Sequence, residues 1–177
     1  MKHSAALAGL SAASLLLAVP ASAQVSGSRY NTSGYSLPLK LALQAAQVAV
    51  QTCGDRGWPV NAFVVDTSGQ VIVQLRGDHA AVHTKDSAFR KAYTVITMGP
   101  IFDLDRTSDF VSLVAKYPNG SGAQLASMPN VVALPGAVAI KHGSEIVAGL
   151  GVGGSPGGDK DEACAAAGVA AISDQIK

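Results

Sequence analysis

The chain has 177 residues, of which 48% are hydrophobic and 14% are charged, and its formal net charge at pH 7 is +1. This length and composition are typical of one folded domain with a sizeable hydrophobic core. The near-neutral balance, with no run of basic residues, argues against nucleic acid or an anionic membrane surface as a partner, because both attract clusters of Lys and Arg.

The first 23 residues are typical of an export signal. Lys2 supplies a basic start, the apolar run 5–19 is too short to span a bilayer, and Ala21-Ser22-Ala23 matches a small-residue cleavage site. We therefore predict cleavage after Ala23, a periplasmic or secreted mature protein, and no stable insertion into a membrane. The alternative is an uncleaved anchor or a core helix.

Residues 24–35 are rich in Ser, Gly and Asn and lack hydrophobic periodicity, so they are predicted to form a flexible arm before a single domain, 36–177. The domain opens with a helix that Ser36 caps and that carries Pro38 in its first turn. The apolar face of this helix continues to Val50, and two glycines follow.

Two hairpins are predicted further along the chain. Apolar runs 60–65 and 71–75 flank one turn, and runs 137–140 and 146–153 flank another. Residues 128–134 also have an extended pattern. Strands predicted in antiparallel pairs, with helices between the pairs and at the ends of the chain, favour an α+β fold.

Three helices are predicted after the first hairpin. One runs from 83 or 84 to about 98, before a break at Pro100, a second covers 108–116, and the last begins at Asp159. Residues 117–122, which are rich in Gly, Asn and Ser, are predicted to be a loop.

The stretch from Gly149 to Glu162 contains the letters of two enzyme motifs, G-x-G-x-x-G and G-x-S-x-G. The dinucleotide motif needs a second parallel strand that carries an acidic residue, which the predicted elements do not supply. The hydrolase motif needs the backbone N–H of the residue after its serine, and Pro156, which follows Ser155, has none. Neither enzyme class is supported.

Five short motifs follow one another along the chain. They are a strand ending in V-D, a strand ending in R-x-D, a helical R-K-A-x-T, a glycine-rich G-x-G-V-x-G and a helical D-x-x-E, found at 65–66, 76–78, 90–94, 149–154 and 159–162. This ordered set resembles the GlcG/HbpS family, also called the haem-degrading or DUF336 family, over roughly 37–172. The resemblance implies a profilin-like antiparallel sheet of about five strands flanked by helices, a haem ligand and a homo-oligomer.

Two histidines are the leading candidates to ligate haem iron. His79 and His83 are four residues apart where the second strand gives way to a helix. A neutral imidazole is a common haem ligand, so we take His83 as the first choice and His79 as the second. The alternative is an exposed loop with two solvated histidines.

Nearby residues are candidates to hold the rest of a haem. Arg76, Arg90 and Lys91 are close to the histidines in sequence and are candidates to meet the propionates, and Tyr93 is a candidate to stack or ligate. The alternative for Arg90 and Lys91 is an ordinary solvated helix face.

Asp159 and Glu162 place two carboxylates in the first turn of the last predicted helix. Capping is the leading explanation, because the helix dipole favours negative charge there. The family resemblance also implies an iron site at such D-x-x-E patterns. The second acidic pattern of the family is replaced here by Asp86-Ser87-Ala88-Phe89, which argues against iron storage.

Cys53 and Cys164 are the two cysteines of the chain. In an exported protein they are expected to form a disulfide, which would join the first helix to the last. The alternative is two separately buried thiols.

The sequence therefore predicts a small exported oligomeric protein that binds haem or a related flat cofactor, as the family resemblance implies. One alternative is a haem-degrading enzyme that uses iron and oxygen chemistry. Another is a ligand-free accessory or structural oligomer linked to small-acid metabolism.

Overall fold

A four-stranded antiparallel sheet forms the centre of the computed structural model, which describes residues 29–176. The strands lie in the order β2-β1-β4-β3, and they span Asn61–Asp66 (β1), Val71–Arg76 (β2), Ala137–His142 (β3) and Glu145–Gly153 (β4). The predicted α+β class and both hairpins are confirmed. The sheet has four strands rather than about five, because residues 128–134 turn at 129–130 and then run without a strand partner.

Helices cover both faces of the sheet. They are α1 (Leu39–Gly54), α2 (Thr84–Phe102), α3 (Thr107–Val114), α4 (Ser121–Ala126) and α5 (Gly158–Ala170), with a short 3₁₀ turn at Ser173–Gln175. Helices α1 and α5 pack on one face and α2 packs on the other. Within the described residues, none of these helices combines the length and apolar composition that a membrane crossing requires.

Alternation along β1 divides its side chains between the two layers. Ala62 and Val64 face α1 and α5, whereas Phe63 and Val65 face α2. All four are buried, as expected for a central strand that is covered on both faces.

Glycines let α2 approach β4 closely. A Cβ added at Gly149 would lie 2.6 Å from Cγ1 of Val95 and 2.8 Å from the carbonyl oxygen of Ala92, and one added at Gly151 would overlap the carbonyl oxygen of Ala88. The small residues of this strand therefore serve helix packing inside the domain.

Two local predictions were wrong, and the end of a third differs. Helix α1 begins at Leu39 with no side-chain cap, so Ser36 does not cap it. Helix α2 continues through Pro100 to Phe102, because its last turns are held by buried contacts such as that of Met98, and it ends where Asp103 adopts a left-handed conformation (φ 57°). The predicted loop at 117–122 is confirmed over 117–120, and its last two residues belong to α4.

The described part of the predicted arm, from Arg29, lies against the β3–β4 hairpin. The Arg29 guanidinium forms ion pairs with Asp103, at 2.9 Å, and with Asp105. The backbone N–H of Ile146 donates to the Arg29 carbonyl at 2.9 Å. The ring of Tyr35 stacks on His142 with centroids 4.3 Å apart.

Glu145 holds the middle of the segment that begins at Arg29, at Thr32 and Ser33. The hydroxyls of Ser33 and Thr32 both donate to its carboxylate at 2.5 Å. These hydrogen bonds, that of Ser33 first, lower the pKa of Glu145 to about 2. Because the pKa is depressed in the folded state, this contact is fully present above the ordinary carboxyl range and is lost as the pH falls through about 2.

The Cys53–Cys164 disulfide is confirmed. It joins α1 to α5 with Cα atoms 5.8 Å apart, and both residues are fully buried. Cross-linking residues 111 positions apart restricts the unfolded chain and contributes on the order of 4–5 kcal/mol in the chain-entropy model.

A buried ion pair links the two helical layers. Nζ of Lys91 on α2 lies 2.6 Å from Oδ2 of Asp161 on α5, and each side chain is only 4% exposed. The ammonium also donates to the Val152 carbonyl at 3.0 Å, and the Ser155 N–H donates to Oδ1 of Asp161 at 2.9 Å. Each charge therefore has a partner, which burial demands.

We expect Lys91→Met to lower the free energy of unfolding by about 3–5 kcal/mol, because it leaves the Asp161 carboxylate buried without its counter-charge. Lys85→Met is the matched control, since Lys85 pairs with Asp86 at the surface, and it should cost under about 1 kcal/mol. Urea denaturation measures both. Equal losses in the two variants would contradict the structural role given to Lys91.

Candidate functional site

A cleft of about 470 Å³ opens where the end of α1 meets the loop after β2. Its walls come from α1, from the segment that leads into β1, and from the loop 77–79. They include Val50, Gln51, Trp58, Val60 and His79. The volume is within the range of small-molecule sites.

Trp58 forms one wall of the cleft and is held by the end of α1. The backbone N–H groups of Arg56 and Trp58 both donate to the Cys53 carbonyl at 3.0 Å. The turn between them uses Gly57 at φ 73°, which glycine adopts without strain. Because Cys53 is bonded to α5, the indole sits on a fixed part of the molecule.

Two cations flank the indole. The Arg56 guanidinium lies 5.5 Å and the Lys160 ammonium 5.3 Å from the centroid of the Trp58 ring, which are cation–π distances. The cleft therefore has an aromatic wall with positive charge beside it.

His79 is one of the residues that line the cleft. The residue is exposed and adopts φ 63°, a left-handed conformation that costs a non-glycine residue on the order of 1–3 kcal/mol. The loop around it is anchored, since the Ala80 carbonyl accepts from Nε and Nη2 of Arg76 at 3.1 and 2.8 Å. The Gly77 N–H also donates to the Val60 carbonyl at 2.9 Å. A held loop with one exposed, strained histidine is a common arrangement at ligand sites.

His83 occupies a different position. It is exposed immediately before α2 and is absent from the walls of the cleft. Because His79 is left-handed rather than helical, the two imidazoles do not share a helix face.

Arg76 lies between two further depressions. A groove of about 470 Å³ shares Val50 and Gln51 with the cleft and reaches Leu75 and Arg76. A smaller pocket of about 90 Å³ also has Arg76 in its lining.

The remaining candidates for a haem site lie elsewhere. Lys91 is in the interior with Asp161, and Arg90 donates from Nη2 to the Val131 carbonyl at 2.5 Å. Tyr93 packs against the hairpin turn at Gly69, which is at the opposite end of β2 from Arg76 and about 20 Å away along the strand. The structure brings Arg76 and His79 together and separates them from these three.

The two carboxylates of the D-x-x-E pattern have different environments. Asp159 is exposed, whereas Glu162 is buried and accepts from Ser108 N–H and Oγ at 3.0 and 2.7 Å and from Gly136 N–H at 3.3 Å. Glu162 thus joins α3, α5 and the start of β3. Among residues 29–176, no group of three or more His, Cys, Asp or Glu side chains is arranged to hold a metal ion.

Sequence reasoning missed Trp58, Arg56 and Lys160. One signal was available, because Trp58 is the single tryptophan of the chain and follows Gly57 in the turn after α1. The approach of Lys160 to the indole was not predictable from local sequence, since 102 positions separate the two residues.

Comparisons with known proteins agree with this architecture. The family model described as haem-degrading protein HbpS-like matches residues 37–170. The crystal structure of HbpS is 35% identical, with a TM-score of 0.70 over 78% of this chain and 91% of that chain. A double mutant of Streptomyces reticuli HbpS is 32% identical, with a TM-score of 0.71 over 94% of this chain and 98% of that chain.

A PduOC:heme complex, at 24% identity, shares the fold with a TM-score of 0.67 over 78% of this chain and 96% of that chain. No curated protein matches the chain. The family match covers more than half of the chain and includes α1, both hairpins and α5. The chain belongs to the family of HbpS-like, haem-degrading proteins.

Proposed function

We propose that this protein binds haem or a related flat cofactor in the cleft beside Trp58, where the imidazole of His79 would hold the iron. The observation that carries the proposal is the position of His79, an exposed histidine that lines a cleft with an aromatic wall. The family match and the haem-bound neighbour support the choice of ligand.

The residues of the cleft suit the parts of a haem. Trp58 and Val50 offer apolar surface to the macrocycle, and His79 offers an imidazole to the iron. Arg56 and Lys160, beside the indole, are cations suited to the propionates. Bound haem would supply redox and oxygen chemistry, while these side chains bind and orient it.

This proposal reverses the order predicted from sequence, in which His83 came first. His79 lines the cleft and His83 does not. Arg76 remains a propionate candidate from the adjoining groove, whereas Lys91 already has a buried partner. The proposed function does not include an iron site at Asp159 and Glu162, because hydroxyl and backbone groups already donate hydrogen bonds to both carboxylate oxygens of Glu162.

We expect His79→Ala to abolish the ligand-field bands that haemin acquires with the parent protein and to weaken haemin binding about tenfold or more, because the iron loses its imidazole. His83→Ala is the matched control and should behave like the parent. Visible spectra recorded during a haemin titration give both results, after circular dichroism has shown that each variant is folded. An unchanged spectrum in the variant that carries both substitutions would reject ligation by His79 and by His83 and would move the haem site to another part of the molecule.

The same titration separates the alternative functions. Loss of the haem band under reductant and oxygen would support a haem-degrading enzyme, the activity that the family description names. No spectral change with the parent protein would instead support a ligand-free accessory or structural oligomer.

We also propose that the mature protein is exported to the periplasm or the medium after cleavage behind Ala23. The Cys53–Cys164 disulfide supports this, because such bonds persist in oxidising compartments. The signal itself lies outside the described residues. Intact-mass measurement of exported protein should give a chain that begins at Gln24, and a mass that still includes residues 1–23 would contradict the prediction.

A homo-oligomer is the third part of the proposal. Leu39 and Leu43 lie one turn apart on α1 and are 64% and 38% exposed. Exposed apolar side chains at this spacing suit an interface between copies. Light scattering of the mature protein should report a mass well above one subunit, and Leu39→Lys with Leu43→Lys should lower it. A parent protein that is monomeric at micromolar concentration would contradict this prediction.

A further inference from the structure

We infer that the small pocket beside Arg76 binds a small oxyanion that carries its own hydroxyl, such as hydrogen phosphate or a 2-hydroxy acid. Of its lining residues, the pocket shares only Arg76 with the groove described above and none with the cleft, and its test is made without haem. Its volume is about 90 Å³, and it is lined by Asn61, Gln74, Arg76, Ala81, Val82 and Lys85.

The sheet register places three polar side chains of this pocket on one face. Asn61 on β1 is directly opposite Arg76 on β2, so their Cβ atoms are about 4.5–5.5 Å apart. Gln74 precedes Arg76 by two residues and therefore shares its face. Helix α2 begins beside them at Thr84 and contributes Lys85.

The cationic side of the pocket is partly fixed. The Ala80 carbonyl accepts from Nε and Nη2 of Arg76, which orients the guanidinium and leaves its other donors available. Lys85 pairs with Asp86 at 2.6 Å, but both side chains are at least half exposed, so water weakens this pair. An anion in the pocket would therefore face one oriented cation and one mobile cation.

Asn61, one of the residues that line the pocket, carries a buried acceptor that lacks a donor. Asn61 is 1% exposed, and its Nδ2 donates to the Thr84 hydroxyl at 2.8 Å, which in turn donates to the Ala81 carbonyl at 2.8 Å. This chain of hydrogen bonds fixes the orientation of the amide. Oδ1 of Asn61 is buried and has no partner among the described residues. Buried acceptors are normally satisfied, so a donor is expected at this point.

These features select the ligand chemistry. Arg76 and Lys85 favour a carboxylate or phosphate, and Oδ1 of Asn61 requires a hydrogen-bond donor. A hydroxyl suits this position better than an ammonium group, which the two cations would repel. The pocket has the volume of about three water molecules, which limits the ligand to a few heavy atoms.

Two pairs of anions test the hydroxyl requirement by calorimetry on the full chain without haem, at constant ionic strength. Hydrogen phosphate is compared with sulfate, which has no hydroxyl at neutral pH, and glycolate is compared with acetate. In at least one pair the hydroxyl-bearing anion should bind about tenfold or more tightly. The pair that shows the difference identifies the source of the ligand as phosphate or hydroxy acid.

Variants then locate the binding. Lys85→Met should weaken binding severalfold and Arg76→Gln about tenfold or more, while Lys116→Met, a control at an exposed lysine after α3, should leave it unchanged. Asn61→Ala should abolish the difference within the pair while keeping the cations, with circular dichroism confirming the fold.

No binding by any of the four anions, equal binding within both pairs, or an equal loss in Lys116→Met would overturn the inference. Neither result depends on the haemin titration, so the two proposals fail separately.

Discussion

The buried pairing of Lys91 with Asp161 is the interaction on which the arrangement of the two layers depends. It joins α2, on one face of the sheet, to α5, on the other, and the Val152 carbonyl at the end of β4 shares the ammonium. Two charges removed from water are tolerated only when both have partners. The first turns of α5 are therefore fixed in position, and Glu162 and Cys164, which follow Asp161, bind α3 and α1 in turn.

These links also hold the walls of the proposed haem cleft in place. The disulfide holds the end of α1, whose Cys53 carbonyl positions Trp58, and α5 brings Lys160 to the same indole. His79, in contrast, belongs to the loop between β2 and α2 and depends on Arg76 for its support. Rigid walls and a strained, exposed ligand on an anchored loop are a suitable combination for binding a flat molecule.

Membership of a haem-degrading family and the position of the site are separate conclusions. The family follows from a match over 37–170, whereas the site follows from which side chains surround a cleft. Two residues that belong to the family motifs, Lys91 and Glu162, hold elements of the fold together in this chain, because both are buried and hydrogen-bonded to other segments. The side chains that line the cleft lie mostly outside those motifs.

The sequence by itself determined the α+β class, both hairpins, α1, the start of α2, α5 and the cysteine pair, because alternation, helical periodicity and turn residues act over a few neighbouring positions. It also indicated the region around His79. Only the tertiary structure decided that His79 is left-handed, that Lys91 is interior, and that Trp58 and Lys160 meet. Those outcomes depend on contacts between segments up to about a hundred residues apart. A local sequence pattern does not indicate which residues such contacts bury or which charges they pair.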